Sequence, residues 1–527
     1  MKGRIDMKGL FGKRFLALCL GMILVASCFV GCGGKKKTTA IVEDDNEQVT
    51  LKWILSGPGM LKDSQKVFDE FNKELVNYLP NTQVEFEVIP ASDFAEKWRL
   101  MSASREEADL VWVGWVLNLR EEARKGSFYP MDELLEAVPD LTAEIPSHII
   151  DLGRINGKLY CIPNYQMMVN LPMGVKVHKE LADKYDLDTD GITEMFATDE
   201  MITKEDYKIF EDFLERVKQG GDLKQGVAAS MLATIVGSVG TFGENMETVA
   251  GNAVIDMRDD SLQVYDLISD FPESEDAYAI ANEWFKKGYV RKDILSVTDL
   301  TAEVGKENGY IMWSESVFKD DSEKMTKKWG FPILSIPARQ ALWIPHSTPT
   351  TNTGIAATSK HPKRAMKLIE LMCTEKGKDL YNLLCYGLEG VHYEKVSDTE
   401  INWLEEDVPG SSNNNYGYSS WAIGNTFNAY TTQYDVAGWN EYILNDINGK
   451  AKPSPLVGFS FDPSPVKLEL AQYEAVKKEY TYLYKGATDN WKELLEERNK
   501  KMKAAGSDKI VEEVRRQIEE WKKTVGK

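Results

Sequence analysis

Cysteine and histidine are scarce in this chain, which limits the chemistry that they can support. The 527 residues include six cysteines and five histidines. No G-x-S-x-G, H-E-x-x-H, P-loop or C-x-x-C motif occurs, so serine hydrolases, zinc proteases, nucleotide hydrolases and dithiol oxidoreductases of the usual form have no support. Cys161, Cys373 and Cys385 are too widely spread for a disulfide framework, and their odd number favours free or buried thiols. A Cys373–Cys385 bridge stays open.

Basic residues are outnumbered by acidic residues, 63 to 83, which gives a net charge of −20. Removal of residues 1–31 would take away five basic residues and one acidic residue and leave −24. Such a negative net charge makes nucleic-acid binding unfavourable. It also disfavours anionic substrates that would be held only by the protein's electrostatic field. The hydrophobic content of 43% is sufficient for buried cores, and the length predicts more than one compact unit.

The sequence has one long apolar run, at its beginning. Lys8, Lys13 and Arg14 precede Phe15–Val30, which is short for a membrane span of about 20 residues. The pattern predicts a secretory signal segment, residues 1–31.

The end of this run resembles the lipobox of bacterial lipoproteins. Gly31 precedes Cys32, and Gly33-Gly34 and three lysines follow it. The resemblance implies that Cys32 is lipidated and that the protein is held at the extracytoplasmic face of the cell membrane, with residues 32–49 as a tether. Cys28 is a second possible lipidation site.

Three β-α units follow the tether. The predicted strands are Thr50–Leu55, Val84–Ile89 and Ala108–Trp115, and apolar residues at helical spacing predict helices over Asp63–Leu79 and Ser92–Met101. The third strand is apolar on both faces apart from Asp109, which is typical of a strand inside a parallel sheet. Such an open α/β sheet binds ligands beyond the carboxyl ends of its strands.

The stretch Ile155–Met168 predicts a hinge. Asn156-Gly157 is a strong turn signal, and Pro163 favours an extended chain before it. An ordinary hairpin within one domain is the alternative from the local sequence. The β-α units before it and the longer, helix-rich region after it favour two lobes. We assign 50–160 and 327–380 to the first lobe, and 161–326 and 381–527 to the second, with extra C-terminal helices.

Several segments together resemble the large solute-binding lipoproteins of Gram-positive carbohydrate ABC importers, the LplA/LipO group within the family 1-type solute-binding proteins. They are the box at Cys32, ADLVWVGW, INGKLYCIP, YGLEGVHY, WAIGNTFNAY, GFSFDPSPVKLEL and MKAAGSDKIVEEVRRQIEEW. The resemblance implies an α/β fold of the two-lobed periplasmic-binding-protein type (type II), which closes around a sugar. It also implies delivery to ABC permease subunits in the membrane.

A sugar receptor needs flat aromatic rings for the C–H faces of the sugar and polar side chains for its hydroxyls. Residues of these types stand at predicted strand ends, after the hinge proline or beside polar loops. The predicted ligand-binding residues are Trp115, Tyr165, Gln166, Trp313, Glu315, Trp343, Asn352, Trp421 and Asn425. A packed aromatic or a loop-capping amide is the alternative for each. Trp112 is assigned to the core.

An acidic loop has the opening pattern of a calcium site. Asp186, Asp188 and Asp190 with Gly191 spell D-x-D-x-D-G, and Glu194 stands at the ninth position of the loop. The twelfth position, where a bidentate glutamate is required, is Ala197. An acidic loop leading into a helix is the alternative, and we assign no metal and no cofactor.

The sequence therefore predicts a monomeric, non-enzymatic receptor for an oligosaccharide. A secreted carbohydrate-active enzyme is one alternative, because the chain has many acidic residues that could form a catalytic pair. A peptide-binding lipoprotein is the other, and it would use main-chain contacts more than stacked aromatic rings.

Overall fold

The computed structural model describes residues 46–197, 202–240, 245–297, 309–338, 342–346, 351–404 and 415–525. Gln48–Lys527 form one compact unit. The predicted signal segment, Cys28, Cys32 and most of the tether lie outside the described residues. Within the described part of the chain, no helix is both long and apolar enough to cross a membrane.

The strands belong to several small sheets. In chain order they are β1 (Val49–Gly57), β2 (Thr82–Pro90), β3 (Leu110–Gly114), β4 (Arg154–Ile155), β5 (Lys158–Leu159), β6 (Cys161–Pro163), β7 (Met173–His178), β8 (Met246–Ala250), β9 (Ala253–Asp256), β10 (Val264–Asp266), β11 (Met312–Ser316), β12 (Ile333–Pro337), β13 (Trp343–Ile344), β14 (Thr351–Ile355), β15 (Tyr393–Lys395), β16 (Glu400–Trp403), β17 (Thr431–Thr432) and β18 (Lys452–Pro453).

The helices lie on and between these sheets. In chain order they are α1 (Ser64–Leu75), α2 (Ala91–Ser104), α3 (Leu119–Lys125), α4 (Asp132–Leu135), α5 (Pro139–Glu144), α6 (Ser147–Ile150), α7 (Lys179–Lys184), α8 (Thr189–Phe196), α9 (Lys208–Gln219), α10 (Ala229–Gly240), α11 (Glu275–Lys286), α12 (Asp321–Trp329), α13 (Pro362–Cys373), α14 (Lys378–Tyr386), α15 (Trp439–Tyr442), α16 (Lys467–Glu479), α17 (Trp491–Ala504) and α18 (Ser507–Val525). A π-helical turn, Ile443–Asn448, continues α15.

The first sheet has the strand order β2-β1-β3-β14-β6, in which β1 pairs in parallel with β2 and β3. The predicted β-α units are confirmed. Residues Leu110–Val113 are buried, as expected of an inner strand. The buried Asp109 is accommodated because its carboxylate accepts hydrogen bonds from the Lys52 main-chain N–H (2.9 Å) and the Ser359 hydroxyl (2.6 Å).

The predicted turn at Asn156-Gly157 is confirmed. Both residues have positive φ, 52° and 81°, and they join β4 to β5. β6 then pairs with β14 at the edge of the first sheet. After Pro163 the chain leaves this sheet and enters the second one at Met173.

The second sheet has the order β11-β7-β12, and all its pairs are antiparallel. β12 (333–337) pairs with β7, whereas our sequence-based division placed 327–380 in the first lobe. In addition, Tyr393, Trp403 and Tyr430 pack in the core of the first sheet, although we had assigned 381–527 to the second lobe. Hydrophobic pattern identifies a strand but does not say which sheet it joins.

The C-terminal helices form a third core. Ile510, Val514 and Ile518 of α18 pack on Ile255 of β9 and on Phe459. The predicted extra C-terminal helices are thus confirmed.

Cys161, Cys373 and Cys385 are free and buried, so Cys373 and Cys385 are not bridged. Burial raises the pKa of each thiol well above its usual value.

Candidate functional site

The carboxyl edge of the first sheet presents an exposed indole. β3 ends at Gly114, and Trp115 follows it with 62% of its surface exposed. Thr351, the first residue of the antiparallel β14, is paired with Gly114. This is the edge at which an open α/β sheet binds its ligands.

A second indole stands beside the first. The ring centroids of Trp115 and Trp421 are 5.5 Å apart at 36°, and Trp421 is 40% exposed. The buried Trp112, which the sequence assigns to the core, supports Trp115 edge-on with 5.1 Å between centroids. Two large apolar rings left in solvent on a rigid support are typical of a binding surface rather than of a core.

Polar groups adjoin the two indoles. The Gln166 side-chain nitrogen donates to the Thr351 hydroxyl (3.0 Å) and to the Trp421 carbonyl (2.9 Å). These bonds hold the amide in place, and its oxygen accepts no hydrogen bond from the residues that the structure describes. A fixed neutral amide beside an aromatic pair suits a ligand with many hydroxyl groups.

Asn352 lies one residue further into β14 and is buried. Its side-chain nitrogen makes a long hydrogen bond to the Val113 carbonyl (3.4 Å), and its side-chain oxygen has no partner among the described residues. An unpaired buried oxygen costs about 1–3 kcal/mol, so this acceptor is suited to a ligand or to water.

The structure places Tyr165 and Asn425 behind this surface. Tyr165 is buried, packs edge-on against Phe427 (4.9 Å between centroids), and has a pKa raised by burial. Asn425 accepts a hydrogen bond from the Phe427 N–H (3.1 Å) and donates to the Cys373 carbonyl (3.2 Å). These contacts fix the loop that carries Trp421.

The predicted residues Trp313, Glu315 and Trp343 lie in other clusters. Trp313 is fully buried with Met325 and Ile333 in a core beside the second sheet. Glu315 forms an ion pair with Lys176 (3.2 Å). Trp343 packs in the third core and donates to Asn245 (3.0 Å).

The acidic loop is explained by helix capping. The Asp188 carboxylate accepts a hydrogen bond from the Gly191 N–H (2.9 Å) at the start of α8. Among the residues that the structure describes, no group of three or more His, Cys, Asp or Glu side chains is arranged to hold a metal ion.

Sequence reasoning missed the residues that attach segment 416–430 to the first sheet. The Tyr418 hydroxyl donates to the Ser56 carbonyl (2.6 Å), and Asn164 donates to the Ala422 carbonyl (2.7 Å). Thr351, which holds Gln166, was also missed. The run of threonines at 348–353 was the one available signal.

Two sheets with separate cores, joined by crossing segments and carrying a candidate site at one sheet edge, define a two-lobed binding protein of the periplasmic type. Residues 61–379, more than half of the chain, match the family model described as bacterial extracellular solute-binding protein. The chain belongs to this family. Residues 455–523 match a domain of unknown function, DUF3502. No curated protein matches the sequence.

Solved structures share the fold. The N-glycan transport solute-binding protein NgtS of Streptococcus pneumoniae has a TM-score of 0.70 at 20% identity, covering 90% of this chain and 99% of that one. The NgtS complex with Man5GlcNAc has a TM-score of 0.58 at 20% identity, and it again covers 90% of this chain and 99% of that one. An extracellular solute-binding protein of Bifidobacterium longum subsp. infantis gives 0.61 at 12% identity, covering 91% and 99%.

Proposed function

We propose that this protein is the substrate-binding component of an ABC importer and that its ligand is an oligosaccharide. The observation that carries the proposal is the exposed pair Trp115–Trp421, with the fixed amide of Gln166 beside it. The indoles offer stacking surfaces to the C–H faces of pyranose rings, and the amide binds hydroxyls. Complexes of NgtS with Man1GlcNAc and Man5GlcNAc support this choice of ligand class.

The receptor acts by closure. A ligand that touches both lobes stabilises the closed conformation over the open one by its differential affinity for the two. The permease subunits then recognise the closed shape. This role involves no chemical conversion of the sugar.

The protein is anchored through lipid on Cys32, within the LplA/LipO group. The resemblance of residues 30–34 to a lipobox supports this, and Cys28 is the alternative position. Two or three acyl chains hold a protein stably at a membrane, whereas one holds it only weakly. Cys32→Ser should release the protein from the membrane fraction, with Cys28→Ser as the matched control. Release by Cys28→Ser alone would place the lipid there.

The ligand class is tested by isothermal titration of the chain lacking residues 1–37, which leaves the compact unit Gln48–Lys527 intact. The panel is Man1GlcNAc, Man5GlcNAc, maltotetraose, xylotetraose and tetragalacturonate. Saturable binding of one ligand per chain is expected for at least one sugar. Heat that continues after each injection would indicate turnover, and no heat from any sugar would contradict the proposal.

A further inference from the structure

Residues 455–523, which match a domain of unknown function, contain no residue of the site described above. We call them the C-terminal unit. They form the third core together with the sheet β8-β9-β10, which the chain makes between α10 and α11. Because α10 and α11 both pack in the core of the second sheet, the C-terminal unit is built on an insertion in the second lobe.

Buried contacts attach the C-terminal unit to the second lobe. Asn282, a buried residue of α11, donates through its side-chain nitrogen to the Gly486 carbonyl (2.8 Å) and the Thr488 carbonyl (2.5 Å). Tyr484 and Ala487 pack against the core of the second sheet. Separation here would leave buried polar groups without partners, which is costly. The unit should therefore move with the second lobe.

The contact between the C-terminal unit and the first lobe is mainly polar. Arg124 of α3 donates through Nη2 to the Ser460 hydroxyl (3.0 Å) and to the Phe461 carbonyl (2.5 Å). Its Nη1 lies 4.0 Å from a carboxylate oxygen of Asp462. Val457 adds a half-buried apolar contact with the first core. One forked guanidinium thus holds the segment 460–462.

A cavity of about 430 Å³ lies beside this contact, between the two bodies. The turn Asn156-Gly157 of the first lobe lines one side, and Phe459, Gln517 and Trp521 of the C-terminal unit line the other. Surfaces that leave such a gap gain little dispersion energy from each other. The attachment to the first lobe is therefore the weaker of the two, and it is the one that opens when the lobes move.

The helix that carries Arg124 is joined closely to the exposed indole. The Leu117 N–H donates to the Gly114 carbonyl (2.8 Å) in the turn that contains Trp115. The Asn118 side chain then caps α3 by accepting two main-chain N–H groups (3.1 Å each). This turn and cap leave little freedom between Trp115 and Arg124. A displacement of α3 is thereby passed to the ligand-binding edge.

A second arginine of α3 holds the crossing segment 342–346. Arg120 donates to the His346 carbonyl (2.9 Å). The buried Glu247 carboxylate, from β8 of the third core, accepts from the His346 N–H (2.8 Å) and from the Ser454 hydroxyl (2.5 Å). Both arginines therefore connect α3 to the C-terminal part of the chain and its sheet.

We propose that the C-terminal unit is a strap between the lobes, fixed on the second lobe and holding the first lobe through Arg124. This assigns a role in closure to residues 455–523, and it rests on the receptor function proposed above. The contact of Arg124 with the segment 460–462 favours the approach of the lobes, and it is lost when they separate. The strap thus sets the closed fraction of the unliganded protein, and with it the apparent affinity for the ligand.

The test compares Arg124→Ala with the native sequence in the chain lacking residues 1–37, without any sugar. Hydrogen exchange in the segment 456–462 should accelerate about tenfold or more, because hydrogen bonds to a charged group are lost. Exchange in the segment 480–488, which lies at the second-lobe attachment, should not change. The radius of gyration from small-angle X-ray scattering should increase, because the lobes separate more often.

Two further variants sharpen this comparison. Arg124→Lys keeps the charge but not the forked donor, so its exchange and radius should lie between those of the native chain and Arg124→Ala. Arg99→Ala is the matched control, because Arg99 is an exposed arginine of α2 that pairs with Glu96 (3.9 Å) away from the strap. It should match the native chain in both measurements. Thermal melting of each variant establishes that it is folded.

The outcomes separate this inference from the proposed function. Equal acceleration in both segments, unchanged exchange in 456–462, or a radius that stays the same or decreases would each overturn the strap and leave the receptor role standing. If Arg124→Ala fails to fold, Ser460→Ala replaces it and should accelerate exchange in the same segment by a smaller factor. If no sugar of the panel binds while exchange and radius respond as expected, the strap stands and the oligosaccharide role is overturned.

Discussion

Trp115 and Trp313 stand in similar sequence settings, yet one is 62% exposed and the other is fully buried. Each comes late in an apolar run of the sequence, although Val116 and Leu117 follow Trp115 whereas Ser314 and Glu315 follow Trp313. Trp115 lies beyond the last residue of β3, at the open edge of the sheet. Trp313 lies inside β11, opposite Lys176, and α12 covers it. Trp115 lies one residue after its strand ends and Trp313 three residues before its strand ends, so a shift of four residues separates an exposed surface from a core.

The largest expected change in stability follows from truncation of Trp313, the buried tryptophan of this pair. Trp313→Ala should lower the free energy of unfolding by about 3–5 kcal/mol, because it leaves a large cavity. Trp115→Ala should lower it by less than about 0.5 kcal/mol, as expected for an exposed side chain. Urea unfolding followed by circular dichroism measures both. Equal losses would mean that the two tryptophans do not differ as described.

The second largest loss of stability is expected at Asp321, a buried carboxylate of the second lobe. Asp321→Asn leaves the Lys176 ammonium, 1% exposed, with the partly exposed Glu315 as its remaining carboxylate partner at the site. Loss of one member of a buried pair should cost about 3 kcal/mol. Glu315→Gln is the matched control and should cost less, because Asp321 remains. A larger loss for Glu315→Gln would reverse the assigned roles.

The exposed member should dominate ligand binding. Trp115→Ala and Trp421→Ala should each weaken binding of the sugar found in the panel about tenfold. Because the two rings touch, the double variant should lose less than the sum of the two free-energy changes. Titration calorimetry measures the cycle. Additive losses would mean that the rings act at separate places, and unchanged affinity would remove both from the site.

The smallest effect should be a pH dependence that originates in the first lobe. Burial tends to raise the pKa of Glu122, but hydrogen bonds from Ser127, Lys125 and Trp98 outweigh it, so the pKa lies below its usual value. The resulting stabilisation is present above about pH 4.3, the ordinary glutamate value, and is lost as the pH falls through the lower folded-state value. Glu122→Gln should lose less stability than the native chain between about pH 5 and pH 3. Parallel plots of unfolding free energy against pH for the native chain and Glu122→Gln would contradict this prediction.

Sequence patterns located the β-α units and the turn at Asn156-Gly157. Buried positions favour apolar residues, and positive φ favours asparagine and glycine, so both features can be recognised from residue type. They could not assign β12 to its sheet, since strand pairing depends on distant residues. They also did not separate Trp115 from Trp313, because that difference depends on strand boundaries and on the covering helix.

The burial of Cys161, Cys373 and Cys385 has a practical consequence. Thiols in apolar surroundings react slowly with maleimides, because the reactive thiolate is suppressed. A single cysteine introduced at the exposed Tyr434 would thus be the accessible thiol among the described residues. We expect an environment-sensitive dye attached there to report movement of the nearby Trp439 ring, which contacts Phe318 with 5.1 Å between ring centroids.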